Sequence, residues 1–199
     1  MNFLKNILSL VGVVLIVVIA GAYVKYDVGA KMDKVNTLDA QAMPAYMEMF
    51  DKVLATGNSA EAMIKKVRIE DAVSTEELVE NFKEIALGAN FKVVGDQTMS
   101  NTGVDAKGEK TKLIRFVSFC SPQIAKVFIN FSAAYSAFMP CRIAIIEMDD
   151  GSRWMYTMSM DLMLFGGKTL PPEMLEKALH VKDTMYLMMD EAGKEDGDF

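Results

Sequence analysis

The sequence contains little of the side-chain chemistry on which most catalytic and metal sites depend. Only one histidine and two cysteines occur among its 199 residues. A single histidine builds neither a Ser-His-Asp triad nor a two-histidine metal site, and two cysteines are too few for a disulfide-rich secreted scaffold. Phosphate-binding loops, dinucleotide fingerprints and zinc-ligand spacings are also missing. We therefore expect no cofactor and no metal site, and the residues favour a protein without catalysis while leaving enzymatic activity open.

Positive charge is in deficit as well. The 21 lysines and arginines are outnumbered by 27 aspartates and glutamates, which gives a formal net charge of −6. Nucleic-acid-binding proteins need basic patches to neutralise phosphates, so nucleic acid is not an expected partner. Hydrophobic residues make up 51% of the chain and charged residues 24%. That composition is typical of a folded globular protein and excludes a largely disordered one.

Charge is absent altogether from one long segment near the amino terminus. Nineteen uncharged residues separate Lys5 from Lys25, and Ile7–Val24 consists almost wholly of aliphatic residues, alanine and glycine. As a helix this segment spans roughly 28 Å, close to one hydrocarbon core. The alternatives are a retained membrane anchor and a signal peptide cleaved near Ala20-Gly21-Ala22. The segment is longer than most signal peptides need, which favours the anchor.

The side of the membrane on which the rest of the chain lies is not decided by its lysines. Lys5 precedes the apolar segment, and Lys25, Lys31 and Lys34 follow it, so the positive-inside rule is indecisive. A very short leader before a large carboxy-terminal domain is typical of a bacterial signal anchor. We therefore expect a single-pass protein of the bacterial inner membrane with its domain in the periplasm.

A helical stalk is predicted between the anchor and the globular domain. Apolar residues from Val24 to Ala42 recur every three or four positions, and a second helix is predicted at Ala45–Leu54. The stripe fits a helix packed on its own domain or a short coiled coil that pairs two anchors into a homodimer. The predicted organisation is an anchor at 1–25, a stalk or linker at 26–59, a domain at 60–165, and a final helix with an acidic tail at 166–199.

Strand and helix patterns alternate through the domain. Strands are predicted at Ala62–Ile69, Phe91–Val94, Lys112–Phe119, Arg142–Met148 and Arg153–Met160, and helices after Ser74, at Pro122–Phe138 and at Pro171–Ala192. Residues 96–110 read as a polar loop, and Asp149-Asp150-Gly151 predicts a hairpin turn. The predicted fold class is α+β, a β-α-β-β-α-β-β-α domain with a mixed sheet and helices on one face, preceded by one transmembrane helix.

Several of these features occur in the order found in one known family. The residues are Cys120-Ser121-Pro122, Ala125, Met139-Pro140-Cys141-Arg142 and the Asp-Gly hairpin. This arrangement resembles the DUF302 family of small α/β domains over Ala62–Leu162, about half of the chain. The biochemical role of that family is not established, so the resemblance implies a fold and names no substrate.

Cys120 is the candidate reactive residue. It directly precedes Ser121, an N-cap, and Pro122 at the first helical position. A helix N-terminus favours anions, so a thiol aimed at it would have a lowered pKa and would suit redox, sulfur-transfer or metal chemistry. The alternative is a small buried apolar residue that ends an inner strand. Together with Ser121 and Arg142, which is able to bind an anion or to form an ion pair, Cys120 completes the predicted ligand-binding set.

A disulfide between Cys120 and Cys141 is not expected. If the helix Pro122–Phe138 forms a crossover about 25 Å long, the two cysteines lie at opposite edges of the sheet. That separation far exceeds the roughly 7 Å between Cα atoms that a disulfide allows.

Methionine is abundant, with 17 residues, and Met155, Met158, Met160 and Met163 lie close together in sequence. Thioethers favour Cu(I). The period of a strand, however, points Met155 away from Met158 and Met160, as in a core filled by adaptable side chains.

Three functions follow from these features. The favoured one is a membrane-tethered envelope module that binds a partner protein or a small ligand without catalysis. The second is a thiol-dependent redox or sulfur-transfer protein that uses Cys120. The third is a Cu(I)-binding protein that uses methionine and cysteine sulfur.

Overall fold

The computed structural model describes residues 2–195, so residues 196–199 of the predicted acidic tail lie outside the described part. The helices are α1 (Asn2–Lys25), α2 (Val28–Val35), α3 (Ala42–Thr56), α4 (Ser59–Ala62), α5 (Thr75–Gly88), α6 (Pro122–Phe131), α7 (Asp161–Phe165) and α8 (Pro172–Glu191), with a 3₁₀ helix at Ala133–Phe138. The strands are β1 (Ile64–Arg68), β2 (Lys92–Ser100), β3 (Gly103–Val104), β4 (Lys110–Thr111), β5 (Ile114–Cys120), β6 (Cys141–Glu147) and β7 (Arg153–Met158).

Helix α1 contains the apolar segment. The stretch Lys5–Lys25 has a mean hydropathy of 2.8 and buries none of its length against the rest of the protein. By length and composition this helix is able to cross a membrane. It ends before Asp27, which adopts a left-handed backbone conformation with φ 51°, and α2 starts at the next residue. The predicted stripe from Val24 to Ala42 is therefore divided among three helices, from the end of α1 through α2 to the first residue of α3.

Helix α3 is attached to the globular domain. The hydroxyl of Tyr46 donates a hydrogen bond to the Gly166 carbonyl at 2.9 Å. Just before the helix, the Asp39 amide donates to the Gly167 carbonyl at 2.8 Å. The side chain of Ala42 is fully buried. These contacts hold α3 against the α7 segment.

The five main strands form one sheet in the order β1-β7-β6-β5-β2. Every neighbouring pair in it is antiparallel. The α+β class is confirmed, but the predicted mixed sheet is wrong. A straight helix between β5 and β6 would have carried the chain to the far end of the sheet and made these strands parallel. The chain instead returns to the end at which it left.

A break after α6 causes this return. Ser132 has extended backbone angles, with φ −156° and ψ 124°, and its hydroxyl oxygen accepts a hydrogen bond from the Ala134 amide at 3.4 Å. Ser132 therefore ends α6 and caps the 3₁₀ helix that follows. The predicted single helix Pro122–Phe138 is two short helices.

The second strand is longer than predicted. Strand β2 extends to Ser100 instead of ending at Val94, and β3 pairs with β4 inside the predicted loop. Asp96 explains part of this extension, because its carboxylate accepts two hydrogen bonds from the Arg115 guanidinium on β5, both at 2.8 Å. A residue that looks like a loop former in the sequence thus stabilises strand pairing.

One face of the sheet forms the core with α5 and α8. Helix α5 begins at a complete capping box between Ser74 and Glu77. The Phe82 ring of this helix packs edge-on against Phe119, with 5.8 Å between ring centroids. Alternate residues of the central strands are fully buried on this inner face, namely Val117, Phe119, Ile143, Ile145 and Met155. Their neighbours on the outer face are partly buried or exposed.

Candidate functional site

Four strand ends meet at one end of the sheet. Strand β5 finishes at Cys120 and β6 starts at Cys141, with Phe119 directly opposite Cys141. Strand β7 finishes at Met158, which lies opposite Ile64 at the start of β1. The antiparallel topology thus brings together residues that are far apart in sequence. Three cavities lie at this end.

The largest of them we call the sheet-face groove. It has a volume of about 720 Å³ and runs from the outer face of the sheet to the 3₁₀ helix. Its lining is rich in methionine and includes Met63, Met139, Met158, Met160, Met163 and Met185. Arg142 is the only charged side chain among the described residues that line it.

Two smaller spaces adjoin the groove. The α3 groove, of about 520 Å³, lies between α3, the 3₁₀ helix and α7. The inner cavity, of about 50 Å³, lies beneath α6 and contacts Cys120, Ser121 and Cys141. Phe138 and Met163 line all three spaces. The end of the 3₁₀ helix therefore forms the common wall of the site.

Ser121 occupies the predicted N-cap position but does not cap with its side chain. Pro122 follows it at the first helical position. The Ser121 carbonyl accepts the Ala125 amide at 2.9 Å, whereas its hydroxyl lies 3.4 Å from the Gln123 side-chain oxygen. Ser121 is buried in the wall of the inner cavity. The sequence thus predicts the start of α6 correctly. The role of the Ser121 side chain in ligand binding stays a prediction.

Burial raises the pKa of both cysteines. Burial raises the pKa of Cys120, the opposite direction to that expected from the helix N-terminus. Burial also raises the pKa of Cys141 to about 11, and the nearby Cys120 adds to this shift. The inner cavity that both thiols line is mainly apolar, and removal of water disfavours the thiolate.

The two thiols are free, but the argument that predicted this state is wrong. It placed the cysteines at opposite edges of the sheet. They lie at the same end instead, because β5 and β6 are antiparallel and Cys141 is opposite the residue before Cys120.

Arg142 projects from the outer face of β6 and is exposed. Its guanidinium carbon lies 5.0 Å from the centroid of the Phe116 ring. Its backbone carbonyl accepts a hydrogen bond from the Thr157 hydroxyl at 2.9 Å, which fixes the strand at this point. Within residues 2–195 its side chain forms no ion pair. The structure therefore places Arg142 on the groove, while Cys120 and Ser121 line the inner cavity next to it.

The strand period separates Met155 from Met158 as predicted, but Met160 lies beyond the end of β7 and is buried in the core like Met155. Met155 is fully buried in the core, whereas Met158 is 41% exposed on the outer face. Across the part of the chain that the structure describes, histidine, cysteine and carboxylate side chains form no group of three or more that could hold a metal ion.

The sequence did not predict Met63, Met139 or Phe138 as site residues. They flank elements that become neighbours only when the sheet pairs. The sequence contained one signal of the 3₁₀ helix. Serine is a common N-cap residue, and Ser132 lies within the segment that was predicted as a single helix.

Comparison with known proteins agrees with this fold. The model of the family described as "Domain of unknown function DUF302" matches residues 65–192. The match continues through α8, so the final helix belongs to the family domain, contrary to the shorter extent inferred from the motifs. No similar sequence was found among curated proteins.

A solved structure described as an uncharacterized conserved protein DUF302 from Bacillus stearothermophilus has a similar fold. The TM-score is 0.50 at 16% sequence identity, and the similarity covers 66% of this chain and 98% of the other. Since the family model spans well over half of the residues, this chain belongs to the DUF302 family.

Proposed function

We propose that this protein is a non-catalytic binding module that takes an apolar small ligand in the sheet-face groove. The observation that carries this proposal is the groove itself, a space of about 720 Å³ with an almost wholly uncharged, methionine-rich wall. Small-molecule sites are typically concave, mostly apolar and roughly 300–1,000 Å³ in volume. Methionine side chains are flexible and polarisable, so they adapt to apolar ligands of different shape.

The states of the two thiols support binding over thiol chemistry. A nucleophilic or redox-active cysteine needs a lowered pKa, which a nearby cation or an open helix N-terminus provides. The pKa values of both Cys120 and Cys141 are instead raised by burial. Thiols in this state serve as small apolar groups in the wall of a cavity.

The proposal includes a membrane tether. Helix α1 is exposed along its apolar length and has the length of one membrane span. We expect it to be retained as a signal anchor in a bacterial inner membrane, with the domain on the periplasmic side. Alkaline extraction of membranes tests retention, and protease treatment of spheroplasts tests the side. Release by alkali, or protection of the domain from protease, would contradict this part of the proposal.

Binding in the groove is tested with the full chain in nanodiscs of phosphatidylcholine, by NMR of isotope-labelled methionine methyl groups. Octanol, a neutral apolar probe, is titrated into the sample. We expect the methyl signals of Met63, Met158 and Met163 to shift in a saturable way. Met99, which is exposed near the end of β2 and does not line the groove, serves as the internal control and should not respond.

Two matched variants locate the site. Ala137 lines the groove and Ala133 does not, although both are exposed residues of the same 3₁₀ helix. The substitution Ala137→Trp fills the groove and should abolish the saturable shifts, whereas Ala133→Trp should leave them unchanged. Absent shifts in the wild-type protein, or equal effects of the two substitutions, would refute the proposal.

A further inference from the structure

The described lining of the sheet-face groove combines a mainly apolar, methionine-rich wall with one cationic side chain. Building on the proposed function, we infer that its ligand is an amphiphilic anion, with the apolar chain in the groove and a carboxylate or phosphate head group bound by Arg142. Arg142 lies on β6 beside the outer-face residues Ser118 and Ala144, which also line the groove. An occupant of the apolar space therefore has the guanidinium within reach of one end.

Arg142 is the arginine that the fold leaves available. The chain contains four arginines. Arg68 pairs with Asp71 at 3.2 Å, and Arg115 forms a two-point pair with Asp96. Arg153 donates to backbone carbonyls of the loop before α5. Of these side chains, as far as residues 2–195 show, only that of Arg142 has neither a carboxylate nor a carbonyl partner.

The contact with Phe116 prepares the guanidinium for an anion. The ring lies 5.0 Å from the guanidinium carbon and covers part of the cation. This contact restricts the side chain, while the N–H groups point outward in the plane of the guanidinium. A planar fork of N–H donors matches the paired oxygens of a carboxylate or a phosphate.

The neighbouring charges favour this site over the α3 groove. The α3 groove contains Glu48, Lys52 and Asp161. Its lysine is paired with Glu48 at 2.7 Å, and Asp161 is paired with Lys182. An anion placed there would compete with carboxylates for cations already in use. The described lining of the sheet-face groove offers Arg142 without any carboxylate.

The net charge of −6 gives an anion no long-range attraction to this protein. The attraction comes from a cation at short range instead. Hydrogen bonds between charged groups are stronger than those between neutral ones, and loss of the guanidinium should weaken anion binding about tenfold or more.

Isothermal titration calorimetry of the full chain in neutral phosphatidylcholine nanodiscs tests the inference. The probes share one dodecyl chain and differ in head group: dodecanoate, dodecyl phosphate, dodecanol and dodecyltrimethylammonium. We expect the two anions to bind more tightly than the alcohol, and the ammonium probe to bind most weakly. Either anion satisfies the inference, and the tighter one indicates whether the natural ligand is of the fatty-acid or the phospholipid kind.

Variants separate the head-group contact from the groove. Arg142→Gln should weaken both anions about tenfold or more and leave dodecanol unchanged, and Arg142→Lys should retain part of the anion preference. Arg68→Gln is the control, because it removes the same charge from the same sheet face at the other end, opposite Trp154. The inference would be overturned if the Arg142→Gln variant bound the anions normally, or if anionic and cationic probes bound with equal affinity. Saturable octanol binding would in that case still support the groove as an apolar site. If no probe bound, the inference and the proposed function would both fail.

Discussion

Alkylation of Cys141 provides a quantitative test of the apolar site. Burial raises its pKa from an ordinary value of 9.0 to about 11. At any pH well below both values, a difference of two pKa units reduces the thiolate fraction about 100-fold. A thiolate of higher pKa is intrinsically more nucleophilic. With a Brønsted slope of about 0.4–0.5, two pKa units raise the rate constant of the thiolate roughly tenfold, which offsets part of the 100-fold loss. We therefore expect Cys141 to react about tenfold more slowly than an ordinary thiol, before any steric shielding.

The measurement uses the wild-type protein, because trypsin separates the two cysteines. Cleavage after Arg115, Lys126 and Arg142 places Cys120 and Cys141 in different peptides. Iodoacetamide is added at a series of values from about pH 7 to about pH 10, and mass spectrometry follows each peptide. The rate for Cys141 should rise about tenfold per pH unit throughout this range without reaching a plateau. Cys120, whose pKa is also raised, should not react faster than an ordinary thiol at neutral pH.

Unfolded protein in guanidinium chloride is the internal control, since there both cysteines should react at the same ordinary rate. A plateau in the Cys141 rate near its ordinary pKa would refute the burial argument. Rapid alkylation of Cys120 at neutral pH would instead revive the thiol-dependent function and weigh against the groove as a purely binding site.

Two further predictions concern the core and an ion pair. Phe82→Ala removes a fully buried ring and should lower the free energy of unfolding by about 3–5 kcal/mol in urea titrations. The control is Leu87→Ala, at a position 80% exposed on the same helix, which should change the free energy of unfolding by less than about 0.5 kcal/mol. Equal effects of the two substitutions would contradict the assigned core. Hydrogen bonds from Arg115 lower the pKa of Asp96, so the stabilisation from this pair is complete above the unfolded pKa of about 3.9 and is lost as pH falls through the lower folded value. Asp96→Asn should therefore destabilise the protein by about 1 kcal/mol at neutral pH, and a gap that stayed constant into acid would disprove the linkage.

Local elements were predictable because each has its signal within a few residues. The capping box at Ser74 marks the start of α5, and the Ser-Pro step at Ser121 marks the start of α6. The turn between β6 and β7 contains Gly151, whose φ of 81° is strained for other residues. These signals act through the backbone geometry of neighbouring residues. That geometry does not depend on how distant parts of the chain pair.

The direction of strand pairing was not predictable in the same way. The apolar residues of β5 and β6 fit an inner strand of either a parallel or an antiparallel sheet. The choice depends on whether the connection returns to its starting end, and that in turn depends on the break at Ser132. Because the segment Pro122–Phe138 was predicted as one continuous helix, the predicted sheet was mixed and Cys141 was placed at the wrong end of it.

The same topology explains why the cysteines are poor candidates for chemistry and good ones for a binding site. Antiparallel pairing puts Cys120 and Cys141 at one end of the sheet, beneath the 3₁₀ helix. There each thiol loses water, and an ionised neighbour would further disfavour the second thiolate, so the pKa of Cys141 rises. A parallel crossover would have kept the two thiols at opposite ends of the sheet. The return of the chain at Ser132 thus places both thiols in an apolar wall. It also places Arg142, the residue after Cys141 on β6, as the charged side chain in the described lining of the sheet-face groove.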